Sequence, residues 1–205
     1  MKERLLVSLV ALLMVILLPG ASFSQDAPLG TAGFAAKAGV DFNGELEAEG
    51  DLGTADMELG FTANAEYLFS LGFLNAGPGL SFLVPRGVDE KGATGKVGLL
   101  PLYAAVNIPI RVKWNFLPFV FGRFGYSIIT DDSAIADNLE AVTGFTDIET
   151  QGGIYWGVGV GVLLTHNVQA EFCCNSHNLK ASSGSADESI DVGYTHGTLS
   201  VGYKF

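Results

Sequence analysis

HGTLSVGYKF, residues His196 to Phe205, closes the sequence and decides how the rest is read. Leu199, Val201, Tyr203 and Phe205 alternate with Thr198, Ser200, Gly202 and Lys204. Successive side chains of a strand point to opposite faces, so this period of two describes a sheet that is apolar on one side and polar on the other.

The same alternation recurs upstream seven times. A first strand sets Phe34, Ala36, Ala38, Val40 and Phe42 against Lys37, Gly39, Asp41 and Asn43. A second sets Leu59, Phe61, Ala63, Ala65, Tyr67 and Phe69 against Glu58, Gly60, Thr62, Asn64 and Glu66. Leu74, Ala76, Leu80, Phe82 and Val84 mark a third, with Asn75, Gly77, Gly79 and Ser81 behind them. A fourth runs from about Lys96 to Ile108, with Val97, Leu99 and Tyr103 on its supposedly polar side. The fifth, near Phe116 to Ile129, turns Val120, Phe124, Tyr126 and Ile128 one way and Phe119, Phe121, Arg123 and Ser127 the other, less regularly, as a bulge would make it. The sixth carries Ile154, Trp156, Val158, Val160 and Val162 against Tyr155, Gly157, Gly159 and Gly161. Val168, Ala170, Phe172 and Cys174 define the seventh, backed by Gln169, Glu171, Asn175 and His177. Pro78 and Pro101 fit poorly, because each removes a ladder donor inside a proposed strand.

The connections sort by parity. Long polar segments follow strands one, three, five and seven, near Gly44 to Ala55, Pro85 to Gly95, Thr130 to Gln151 and Asn178 to Asp191. Short turns follow strands two, four and six. Long loops at one end and tight turns at the other are the pattern of an up-and-down barrel that crosses a membrane. Phe34, Tyr67, Phe69, Phe73, Trp114, Phe116, Tyr203 and Phe205 all fall at the short-turn end, where an interfacial aromatic girdle would sit.

Composition agrees. The sequence is 48% hydrophobic and only 16% charged, with 27 glycines and 14 phenylalanines, whereas a globular domain takes about 25% charged residues. An exterior that meets lipid needs few charges. Lys2 and Arg4, an apolar stretch from Leu5 to Leu18, and Ser22-Phe23-Ser24 read as a secretory signal peptide over residues 1–24, with the barrel over 25–205. The stretch is shorter than the roughly 20 residues of a membrane-spanning helix. Cleavage leaves nine basic against twenty-one acidic residues, which disfavours nucleic acid as a partner. The carboxylates gather between strands, at Glu45, Glu47, Glu49, Asp51 and Asp56, at Asp131 to Glu149, and at Asp187, Glu188 and Asp191, as solvated loops.

Several motifs carry possible chemistry. Gly157-Val158-Gly159-Val160-Gly161 repeats glycine every second residue within a strand, unlike a phosphate-binding loop at a strand-to-helix turn, and makes room in a narrow lumen. Lys37, Asp41, Glu58, Glu66, Arg123, Glu171, His177 and His196 all face inward, and charges enclosed in an eight-strand barrel must pair. Arg123 is the expected hub, since a guanidinium can hold two carboxylates. Adjacent Cys173 and Cys174 face opposite sides and cannot form an ordinary bridge. Ser176 and His177 are likewise on opposite faces, which argues against a catalytic pair. The three histidines have no metal-ligand spacing, so neither metal nor cofactor is expected.

From Gly33 to the terminal Tyr203-Lys204-Phe205, the chain resembles the small bacterial outer-membrane β-barrel superfamily of OmpA-type, OmpX-type and opacity-type proteins. The resemblance implies an all-β, eight-stranded antiparallel up-and-down transmembrane β-barrel, reached after cleavage of an N-terminal signal peptide. It implies residence in the outer membrane among lipid and lipopolysaccharide, and recognition of the C-terminal strand by the barrel-assembly machinery. Trp114, Phe116, Tyr203 and Phe205 would lie at the membrane interface. Relatives serve as adhesins, membrane stabilisers, small-solute conduits or, rarely, lipid enzymes. The expected role is a non-enzymatic monomer, structural or adhesin-like, with acidic loops open to an extracellular ligand. The alternatives are a narrow conduit for small or hydrophobic solutes and a lipid A deacylase. The histidine-x-serine-asparagine order of the deacylases is missing.

Overall fold

The structure, a computed structural model, describes residues 33–48, 54–88, 95–110, 112–113, 115–137, 148–183 and 189–205. The segment expected to be a signal peptide lies outside these. The described residues form nine strands: β1 (Gly33–Ala48), β2 (Thr54–Met57), β3 (Gly60–Ser70), β4 (Asn75–Gly87), β5 (Lys96–Pro109), β6 (Leu117–Asp131), β7 (Ile148–Leu163), β8 (Val168–Ser183) and β9 (Ser189–Lys204). β2 and β3 are two pieces of one stave, because both pair with β1 in a single register, from Glu47 opposite Thr54 to Gly33 opposite Leu68. β3 through β9 are consecutive antiparallel neighbours, and β9 returns to pair with β1. The result is a closed barrel of eight antiparallel staves, in which, among the described residues, only the short β2 pairs along one side, with a single bridge from Met57 to Val88 on the other.

Through the middle of the barrel, alternation sorts the side chains into an apolar exterior and a polar interior. Phe61, Leu80, Leu102, Phe124, Trp156, Val158, Val160 and Leu199 stand exposed around the outside. Lys37, Asn64, Glu66, Arg123, Gln169, Glu171 and Ser200 are buried inside. Among the described residues no helix is long and apolar enough to cross a membrane; β1, β7, β8 and β9, at sixteen residues each, exceed the roughly 9–11 residues that a membrane-crossing strand needs. Pro78 and Pro101 are accommodated by interruptions of the ladder. Pairing of β3 with β4 skips from Glu66–Gly79 to Phe69–Ala76, and that of β4 with β5 skips from Leu80–Leu102 to Leu83–Leu99. Each proline lies within a skipped stretch, where no partner waits for the absent N–H.

Several staves run further than expected, and in β1, β2–β3, β4 and β7 the alternation inverts on the way. In β1 the register against β9 shifts between Phe42 and Glu45, with Asn43 at φ 49°. Below this bulge odd-numbered residues point inward; above it Gly44 and Leu46 do. Comparable shifts fall between Leu83 and Arg86 in β4 and between Gln151 and Ile154 in β7, and Glu58 and Leu59 interrupt the stave of β2 and β3. β6 also has an unopposed residue, Thr130, where its pairing with β5 slips. Asn43, expected inward, is therefore exposed. The segments beginning at Gly44 and Pro85, expected as loop, start as strand, as do residues 148–151 and 178–183.

Above these inversions the lumen is apolar rather than polar. Leu46, Ala55, Met57, Leu83, Val88, Val97, Leu99, Leu179, Ala181, Val192 and Tyr194 form one buried cluster. A helical turn over residues 133–137 lowers Ala134 and Ile135 into it, each 1% exposed. Ile135 and Ala136 donate backbone hydrogen bonds to the Asp132 carbonyl, and the Lys96 amide donates to Ser133 Oγ at 2.8 Å. The large hydrophobic cluster of this barrel is thus a cap inside its long-loop end.

Candidate functional site in the lumen

Four charges meet at mid-height. Lys37 Nζ lies 2.5 Å from Glu66 Oε2 and 2.8 Å from Glu171 Oε1. Arg123 Nε lies 2.9 Å from Glu66 Oε1, and its Nη2 lies 2.7 Å from Glu171 Oε2. β1, β3, β6 and β8 each supply one member, so the ring ties together staves far apart around the barrel. Two cations and two carboxylates balance, and the Tyr103 hydroxyl adds a hydrogen bond to Glu66 at 3.0 Å. Arg123 is not a lone hub, because Lys37 also bridges both carboxylates. The guanidinium also lies over the Phe121 ring, 4.6 Å from its centroid.

A hydroxyl, amide and imidazole layer follows toward the long-loop end. Thr62 and Thr198 donate to Asp41 at 2.5 and 2.6 Å, and Asn175 Nδ2 donates to Thr198. Tyr155 donates to Asn175 Oδ1 at 2.8 Å, and Ser81 hydrogen-bonds Asn64. His177 and His196 stack with centroids 5.3 Å apart and planes within 9°, and Tyr194 packs on both. Ser127 Oγ lies 2.7 Å from His177 Nδ1, while His196 Nε2 lies 3.8 Å from Asp41 Oδ1. Arg86 fills the space left by Gly44 and Gly60, donates to the Glu58 carbonyl at 3.1 Å, and lies over the Tyr194 ring.

These layers leave little open space. A cavity bordered by Asn64, Arg123, Tyr155, His177 and His196 has about 10 Å³ for the centre of a water molecule, room for one at most. Another at the short-turn end, between Leu68, Asn107, Phe119 and Gln169, has about 30 Å³. Between and above them are the ion ring and the apolar cap.

Of the residues singled out in the sequence, Lys37, Glu66, Arg123 and Glu171 converge in the ion ring, and Asp41, His177 and His196 in the layer above. Glu58 does not join them. It is exposed at the interruption between β2 and β3, where the inverted alternation turns it away from the lumen. Phe116, Tyr203 and Phe205 are exposed at the short-turn end, where Phe205 packs against Tyr203 and Phe34 at 5.0 and 5.7 Å; Trp114 lies outside the described residues. Cys173 is buried in the lumen and Cys174 is exposed outside, both as free thiols. Sequence reasoning missed Tyr103, Ser127 and Arg86 as partners. Inward parity marked the first two without saying what they touch, and Arg86 fell in an expected loop. Among the described residues no three His, Cys, Asp or Glu side chains gather as metal ligands.

A closed antiparallel barrel, greasy outside and charged within, defines an integral β-barrel of the bacterial outer membrane. The sequence matches the family described as "Outer membrane protein beta-barrel domain" over residues 9–205, and the chain belongs to that family. No curated protein is significantly similar in sequence. Among solved structures, it is similar to Neisserial surface protein A, with 18% identity, a TM-score of 0.52, and 86% of this chain and 99% of that one covered. It is also similar to the outer membrane protein OprG from Pseudomonas aeruginosa, with 16% identity, a TM-score of 0.50, and 86% and 97% covered. At these identities the likeness is one of fold.

Proposed function

We propose that this barrel acts through its outside and its rim, as a non-enzymatic outer-membrane protein with a structural or surface-interaction role. The observation that carries this reading is the filled lumen: among the described residues, aromatic packing, the ion ring, the imidazole layer and the apolar cap follow one another, and the two cavities between them have about 10 and 30 Å³ for water centres. A solute path would require the Lys37–Glu66–Arg123–Glu171 ring to break and the cap to leave, and separating enclosed charges is costly. The long loops, rich in carboxylates, face outward from the cell in this reading and present an acidic surface to an extracellular ligand. Lipid and lipopolysaccharide surround the barrel, the barrel-assembly machinery engages β9, and a wall closed by the pairing of β9 with β1 suits a monomer. Hydrolysis is disfavoured because Ser127 and His177, which do form a hydrogen-bonded pair, are wholly enclosed, and Ser176 shares the outer face with Trp156.

Planar-bilayer recording of the refolded full chain tests the reading. The expected result is no stable conductance above the bare bilayer. Large, lasting unit steps would overturn it in favour of a conduit for small solutes.

A further inference from the structure

His177 and His196 each have one ring nitrogen facing a partner and one facing none. His177 Nδ1 meets Ser127 Oγ at 2.7 Å and His196 Nε2 faces Asp41 Oδ1 at 3.8 Å. Their other nitrogens, His177 Nε2 and His196 Nδ1, are fully buried without a hydrogen-bond partner. Both rings border the same small cavity, along with Thr62, Ser81, Asn175 and Thr198. A third such nitrogen, Arg86 Nη2, belongs to a residue that does not border it. Buried polar groups are rarely left unpaired, and the size and polar lining here match one water.

We infer that this cavity is a binding site for a single water molecule that links His177 Nε2 to His196 Nδ1 and completes a hydrogen-bonded chain from Ser127 to His196, whose far nitrogen faces Asp41 at 3.8 Å. The direction of the chain follows from its ends. Asp41 already accepts hydrogen bonds from Thr62 and Thr198, so the His196 nitrogen facing it carries the proton and Nδ1 is bare. Ser127 is fully buried, and its bond to His177 is the one its hydroxyl makes among the described residues. Were His177 Nδ1 the donor, the serine proton would have no acceptor. Ser127 therefore donates to His177 Nδ1, His177 Nε2–H donates to the water, and the water donates to His196 Nδ1. Both rings take the Nε2–H form, and staves β6, β8 and β9 are joined through one molecule of solvent, with Asp41 of β1 facing the end of the chain. This chain is independent of the role proposed for the barrel.

Nitrogen-15 NMR of the full chain, labelled at histidine and held in lipid nanodiscs, reads the ring tautomers directly. His177 and His196 are expected as single Nε2–H tautomers, with a cross-peak from the His177 Nε2 proton to water. Ser127→Ala should leave His196 unchanged and convert His177 from one tautomer to a mixture. An Nδ1–H form at either ring of the unaltered protein, or a His177 Nε2 proton with no contact to water, would overturn the inference. The unaltered protein decides the matter even if the variant fails to fold.

Discussion

Lys37, Glu66, Arg123 and Glu171 show why a charge inside this barrel is inseparable from its partners. Each cation touches both carboxylates, so removing one leaves an enclosed imbalance that the other three cannot relieve. Arg123→Met is expected to lower unfolding stability in vesicles by about 3–5 kcal/mol, as for other broken buried pairs; reversible urea titration measures it, and a loss within error would contradict the ring. The members of the ring were legible from inward parity and the rule that enclosed charges pair. The partner pattern was not, since which lysine reaches which glutamate depends on stave order and shear rather than on sequence spacing. The glycine stripe teaches a similar lesson. Its need for space was evident, but the phenyl rings of Phe119 and Phe121 that lie over Gly161 and Gly159 belong to the neighbouring stave.

At the scale of the strand, the inversions of alternation separate what the sequence showed from what it hid. A period of two, read continuously, places Asn43 and Glu58 inside and ends the strands where the pattern fails. One extra residue at a bulge changes which parity faces the core, so the strand continues while the pattern restarts in the opposite phase. Leu46, Met57 and Val88 then face inward above the bulges, and the described ends of the long polar segments are wall. Asn43 holds the left-handed conformation at φ 49° that the bulge in β1 requires. Asn43→Gly should therefore be nearly neutral, whereas Asn43→Val should cost about 1–2 kcal/mol, a difference that paired thermal or urea unfolding curves will show or deny. The helical turn over 133–137 belongs to the same scale. Ile135→Asp places an enclosed carboxylate in the apolar cluster that includes Val97, Leu99 and Val192, which is unfavourable without a partner. Hydrogen exchange at Val97 to Leu99 is expected to quicken at least tenfold while the amides of β8 and β9 around Glu171 and Ser200 keep their protection. Equal rates in both proteins would show that the turn is not what seals that end.

For the whole molecule, closure was the most legible property. The parity of the loops, the count of alternating segments and the aromatic ending all stated an eight-stave barrel, because a wall with lipid outside must hide every backbone polar group and repeat one pattern in every stave. The contents of the lumen were legible only to mid-height. An apolar cap inside the rim uses the same residues as an apolar exterior, and composition cannot tell them apart. The central claim, that the outward set touches acyl chains, is tested most directly by the fluorescence of Trp156 in a Trp114→Phe background, with the full chain folded into vesicles. Trp156 stands on the outer face of β7, 43% exposed in the bare protein. We predict strong quenching by phospholipids brominated along their acyl chains and almost none by aqueous acrylamide. Quenching by acrylamide with indifference to the brominated lipid would contradict the account.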